Sequence, residues 1–113
     1  PLAIVTGRPR DEAAWFLGRF ALHPLVSAVA CLEDAPPKPD PAPVKLALSR
    51  LGVSRAWMVG DTPDDARAAL GAGVLPVGIV APGDEAPRAR RALIEAGCAR
   101  VIDSLGDLEG LLP

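Results

Sequence analysis

Five short runs of strand character, each handing over to a helical pattern, confine this chain to very few folds. Leu2 to Thr6 is apolar, largely β-branched and closed by Gly7, the mark of a parallel strand covered on both faces. A helix over Pro9 to Leu22 comes next, striped by Ala13, Phe16, Leu17 and Phe20 at helical spacing. Val26 to Leu32 reads as a second strand, and a proline-rich loop, Ala35 to Asp40, leaves it. Asp40 as cap and Pro41 in the first turn open a helix carrying Val44, Ala47, Leu48 and Leu51, which Gly52 ends. Ala56 to Val59 is the third strand, ending at Gly60. Thr62 and Pro63 then open a helix with a narrow apolar face, Ala66, Ala69 and Leu70, closed by Gly71 and Gly73. Val74 to Val80 is the next strand, and Ala89, Ala92, Leu93 and Ala96 stripe a helix closing at Gly97. Arg100 to Asp103 gives a last short strand, and a final helix runs from Ser104 and Leu105 to Leu112. This alternation predicts one α/β domain over residues 1–113, built as a doubly wound parallel sheet.

The totals remove several classes of function. A net charge of −2 offers no basic field for nucleic acid or an acidic membrane. No apolar run approaches the ~20 residues that span a bilayer. Cys31 and Cys98 are expected to be two buried apolar thiols of a cytoplasmic protein rather than a disulfide. The chain begins at Pro1 with a strand directly behind it, and a domain that starts mid-sheet is expected to be a fragment.

In a sheet of this kind ligands sit at the carboxyl ends of the strands, so the candidate functional residues are those just past each strand end. After the first strand come Thr6, Gly7, Arg8 and Pro9: a hydroxyl and approachable backbone N–H groups at the start of a helix, suited to an anion. By itself this is also an ordinary strand end with a turn glycine. After the second, Lys38 stands between Pro37 and Pro39. It is one of only two lysines, with Lys45, among 12 basic residues, which points to a task for a compact point charge. A plain surface lysine is the competing explanation. After the third, Asp61, Asp64 and Asp65 crowd a strand tip and the first turn of a helix. Carboxylates gathered this way repel unless a cation joins them, and oxygen-only ligands select Mg²⁺. The helix dipole alone accounts for Asp64 and Asp65 but leaves Asp61 unexplained. Together the three strand ends describe a site that holds a phosphoryl group, neutralises its oxygens and anchors Mg²⁺.

With these residues in place, the chain resembles the haloacid dehalogenase-like superfamily, and its subfamily I phosphatases in particular. Thr6 matches the family's second motif, Lys38-Pro39 its third, and Gly60-Asp61 with Asp65 its fourth. The resemblance runs from Pro1 to Pro113. It implies a Rossmann-like core in which Thr6, Gly7 and Arg8 bind phosphoryl oxygens. Lys38 would stabilise the charge of nucleophile and phosphate. Asp61 would ligate Mg²⁺, and Asp65 would support the metal directly or through water, with Asp64 as the ambiguous neighbour. The stretches Thr6 to Asp11 and Lys38 to Pro43 are similar to those of a clade found with histidine-biosynthesis proteins, which implies a small phosphorylated metabolite as substrate.

The family's first motif, a central strand ending in Asp-x-Asp, has no counterpart here. The nucleophile strand and the cap domain would lie outside the chain, and the segment alone would be inactive. The expected activity is therefore a magnesium-dependent phosphomonoester hydrolase working through an aspartyl-phosphate, present without its nucleophile. A non-catalytic phosphate- or metal-binding module, or an assembly module, is the alternative. The missing strand predicts direct pairing of the strands ending at Thr6 and Val59, capture of a strand from another chain, or marginal stability. Elsewhere, Trp15 and Trp57 are expected to pack, His23 to end a helix, and Arg88, Arg90 and Arg91 to form a solvated face.

Overall fold

Short apolar runs form the strands, and a computed structural model describing all of Pro1–Pro113 pairs them in two separate parallel sheets. In the first, β1 (Ala3–Val5) lies beside β2 (Ala28–Ala30), Ala3 opposite Ala28 and Val5 opposite Ala30. In the second, β3 (Trp57–Gly60) pairs with β4 (Leu75–Ile79), and β4 with β5 (Arg100–Ile102). Five helices connect or succeed these strands: α1 (Arg10–Arg19), α2 (Ala42–Leu51), α3 (Pro63–Gly71), α4 (Ala86–Glu95) and α5 (Gly106–Glu109). The architecture is the α/β one the alternation predicts. Alternate side chains of β1 face opposite ways: Ile4 and Thr6 border a cavity along α1, whereas Ala3 and Val5 face Val44 and Leu48 of α2.

Helix ends obey the glycine punctuation. Gly52, Gly73 and Gly97 have φ of 69°, 77° and 103° and sit just past α2, α3 and α4. At each, the next residue donates back across the last turn: Val53 to Leu48, Val74 to Ala69, Cys98 to Leu93. This is the paired-bond helix stop that a left-handed residue permits. Helix α1 ends the same way, with Leu22 donating to Leu17 at 2.8 Å and Ala21 to Gly18 at 3.3 Å, yet its left-handed residue is Ala21, at φ 53°. At the start of α2, Asp40 accepts from the Ala42 N–H at 2.8 Å, so it caps the helix from one residue further out than expected. A 3₁₀ turn, His23–Leu25, comes after α1 and places His23 just past its end.

The main cluster of buried residues is Val44, Ala68, Ala69 and Val74, with Val5, Leu48, Ala56, Met58 and Ala72 packed around it. It joins α2 and α3 under the inner strands of both sheets. Several expectations fail. Of the α1 stripe only Leu17 is buried, while Phe16 and Phe20 are half exposed and Trp15 is 68% exposed. Trp57 is also exposed, so neither tryptophan is a core residue. The C-terminal helix is a single turn, α5, because Gly106 and Gly110 bracket it.

The largest departure is at the centre of the sheet. β1 and β3 do not pair; each keeps one edge without a strand partner. Between them lies a cleft of about 340 Å³, lined by 14 residues of which 13 are hydrophobic, among them Val5, Val44, Leu48, Met58 and Leu105. Direct pairing of the strands ending at Thr6 and Val59 is therefore not how this chain deals with its open edges. Side chains of α2 and α5 line the cleft that separates them.

Candidate active site

The β3–α3 turn is built around one carboxylate. Thr62 is the N-cap of α3, and its hydroxyl accepts from the Asp65 N–H at 3.2 Å. Asp65 Oδ2 in turn accepts from the Thr62 N–H at 3.2 Å and the Asp61 N–H at 3.1 Å. This capping box pulls the Asp65 side chain back under the strand tip. Gly60 makes room for it: a Cβ there would lie 2.5 Å from Asp65 Oδ2 and 2.7 Å from Asp65 Cγ. The spacing Thr62-x-x-Asp65 is the sequence signal for this arrangement, beyond the cap and the proline that mark the helix start.

The other oxygen of Asp65 takes the lysine. Lys38 Nζ donates to Asp65 Oδ1 at 2.5 Å and reaches the Val5 carbonyl at 3.5 Å. The loop after β2 thus delivers its ammonium to the gap between the ends of β1 and β3, where the Lys38 side chain is 20% exposed. Burial alone would push the Asp65 carboxyl up; the Lys38 ammonium and the hydrogen bonds from Thr62 outweigh it and hold Asp65 below its ordinary value.

Lys38, Asp65 and Asp61 therefore border one region, linked through the Lys38–Asp65 pair and the Asp61 N–H, with the Val5 carbonyl on its β1 side, whereas Thr6 lines the cavity along α1. Thr6 Oγ1 accepts from the Arg8 N–H at 3.1 Å, which leaves its own proton free to donate. Nothing lies within 4 Å of where a Cβ of Gly7 would be, so the backbone there is open to approach. The Arg8 guanidinium lies 3.3 Å from Glu12 on α1, in a well-exposed pair, and makes no contact with Lys38 or Asp65. Asp61 is exposed and its carboxylate has no hydrogen-bonded or ionic partner, whereas Asp64 turns outward to Arg67 at 3.1 Å.

This set tests the magnesium expectation. No three His, Cys, Asp or Glu side chains converge in a group able to hold a metal. Both oxygens of Asp65 are engaged, so direct ligation by Asp65 would require release of Lys38. What fits is one free carboxylate, Asp61, as a partial ligand set for a hard cation that retains several waters.

Two further arginines, Arg10 near the start of α1 and Arg90 on α4, are structural. Arg10 Nη2 lies 2.5 Å from Asp34 Oδ1, and Glu33 accepts from the Arg10 N–H, tying the start of α1 to the loop after β2. Arg90, expected on a solvated face, instead donates to the Val101 carbonyl and to Asp103. Both thiols are free, and burial pushes each of them up.

Comparison with known proteins bears on the fold and the family. Residues 1–79 match the family described as haloacid dehalogenase-like hydrolase. A protein of Phytophthora nicotianae named imidazoleglycerol-phosphate dehydratase is 40% identical, over 99% of this chain and 27% of its own length. A phosphoglycolate phosphatase of Rhodospirillum rubrum is 36% identical, over 96% of this chain and 46% of its own. Among solved structures, a hydrolase of Deinococcus radiodurans with bound phosphate and sodium superposes with a TM-score of 0.86 at 27% identity, covering 98% of this chain and 51% of that one. The chain thus spans from about a quarter to about half the length of the relatives it matches.

Proposed function

The chain belongs to the haloacid dehalogenase-like hydrolases, and from that premise we propose that it is the phosphate- and metal-facing half of a phosphomonoesterase acting on a small phosphorylated metabolite. The observation that carries this reading is Lys38, fixed by Asp65 at the mouth of the cleft between β1 and β3. An ammonium held there, at the end of the strand that Thr6 and the open backbone at Gly7 follow, suits phosphoryl oxygens as they gain charge. Arg8 stays at the margin of this set, since Glu12 engages its guanidinium.

The attacking carboxylate would come from residues outside these 113. No Asp-x-Asp sequence occurs in the chain, and the unpaired edges of β1 and β3 border the apolar cleft that a further strand would fill. Mg²⁺, when bound, would supply charge neutralisation at the transferring group. Asp61 is the carboxylate this chain would contribute, and Asp65 would act through water while it holds Lys38. The two free thiols accord with a cytoplasmic setting.

The 113-residue protein alone is expected to release no phosphate from phosphoglycolate or other small phosphomonoesters with Mg²⁺ present. The same segment expressed with the coding sequence that precedes it should do so, with Lys38→Ala and Asp61→Ala each losing at least about 100-fold in kcat/KM. Turnover by the segment alone, or full activity after Lys38→Ala, would refute the reading. Inactivity of the extended protein toward every phosphomonoester, with phosphate still bound, would favour the non-catalytic module.

A further inference from the structure

The two outer strands of the assembly end in the same device. β2 is the outer strand of its sheet and β5 of the other. The Thr6 N–H donates to Ala30, so the preceding residue, Val29, turns its amide groups out of the sheet, since successive residues of a strand alternate. By the same alternation Val101 faces outward, because its neighbour Ile102 accepts from Val80. Each of these strands has three residues, so Val29 and Val101 are the middle residues and the only ones facing out.

Both outward carbonyls are taken by an arginine. Arg50, from the last turn of α2, donates to Val29 at 2.6 Å and lies 3.6 Å from Asp34. Arg90, from α4, donates to Val101 at 3.1 Å and pairs with Asp103 at 2.5 Å. The arginines come from different helices, yet each couples an edge carbonyl to an aspartate that holds the guanidinium in place. The inner edges of β1 and β3 have no arginine; Lys38 reaches Val5 at 3.5 Å, while its short bond goes to Asp65.

We propose that Arg50 and Arg90 are edge guards, closing the outer edges of β2 and β5 to strand pairing with a second copy of this chain. A bare strand edge is a template for another strand. With a single outward carbonyl on each strand, one guanidinium is enough to withdraw it, and it places a charge where an incoming strand would lie. Strand addition is thereby confined to the inner cleft. This inference stands on the edge geometry and is independent of the phosphatase reading.

Sedimentation velocity over a concentration series, with amide hydrogen exchange read at Val29 and Val101, tests it. The Arg50→Ala/Arg90→Ala protein should self-associate about tenfold more tightly than wild type, or more, as expected from one or two new ladder hydrogen bonds. Exchange at Val29 and Val101 should slow as concentration rises. Arg67→Ala, which removes a more exposed guanidinium from α3, should match wild type. Asp103→Asn leaves Arg90 present but unheld at an exposed position, so it keeps the fold and should show the same change at Val101 alone. Wild-type association in both the double variant and Asp103→Asn would overturn the proposal. So would tighter association without slower exchange at these two amides.

Discussion

Asp65 accepts from Lys38 on one oxygen and from two backbone N–H groups on the other, so its charge is fully used inside the protein. Its folded value lies below the ordinary 3.8, which means that the unfolded chain takes up the proton first as pH falls. The stabilisation is therefore complete above about pH 4 and is lost on acidification through the lower folded value. Asp65→Asn should cost about 2 kcal/mol in urea unfolding at pH 7, by weakening the hold on Lys38. It should also flatten the fall in stability below pH 4. Asp34, held below its ordinary value by Arg10, would supply the slope that remains. An unchanged acid profile in Asp65→Asn would show that the pair is not the titrating unit.

At the level of elements, the four paired-bond helix stops form a natural series. Three use glycine, and α1 uses Ala21 in a left-handed conformation that an L side chain disfavours. Ala21→Gly should therefore stabilise the protein by about 1 kcal/mol, measurable as a higher urea midpoint with an unchanged slope. The glycine stops and the Thr62-Pro63 cap were legible in the sequence because they are local chemistry: a donor, an acceptor and a φ angle within a few residues. Lys38, Asp61 and Asp65 could be picked out for the same reason, each lying next to a recognisable strand end. The exposure of Trp15 and Phe16 was not legible, because helical spacing shows which side chains share a face and not whether another element covers it. Arg50 and Arg90 were missed on related grounds: their partners, Val29 and Val101, are backbone carbonyls whose direction is fixed only by the register of the ladders. The direct pairing of β1 with β3 failed because a free edge can be read from the sequence pattern, whereas the apolar cleft that separates the two edges is set by how the helices pack.

For the molecule as a whole, no ladder hydrogen bond crosses from β1–β2 to β3–β4–β5. The two sheets are joined by packing of α2 on α3 and by the Lys38–Asp65 pair. Native-state hydrogen exchange should accordingly resolve two opening units, with the β2 amides exchanging through a lower-energy opening than those of β4. A single opening energy for both would show that helix packing alone makes the fold cooperative. With two opening units, the cleft would act as a hinge line, with no ladder to fix the distance across it. A phosphate gripped from both banks would act as a rivet: its binding energy would appear as mechanical coupling, merging two loosely joined plates into one.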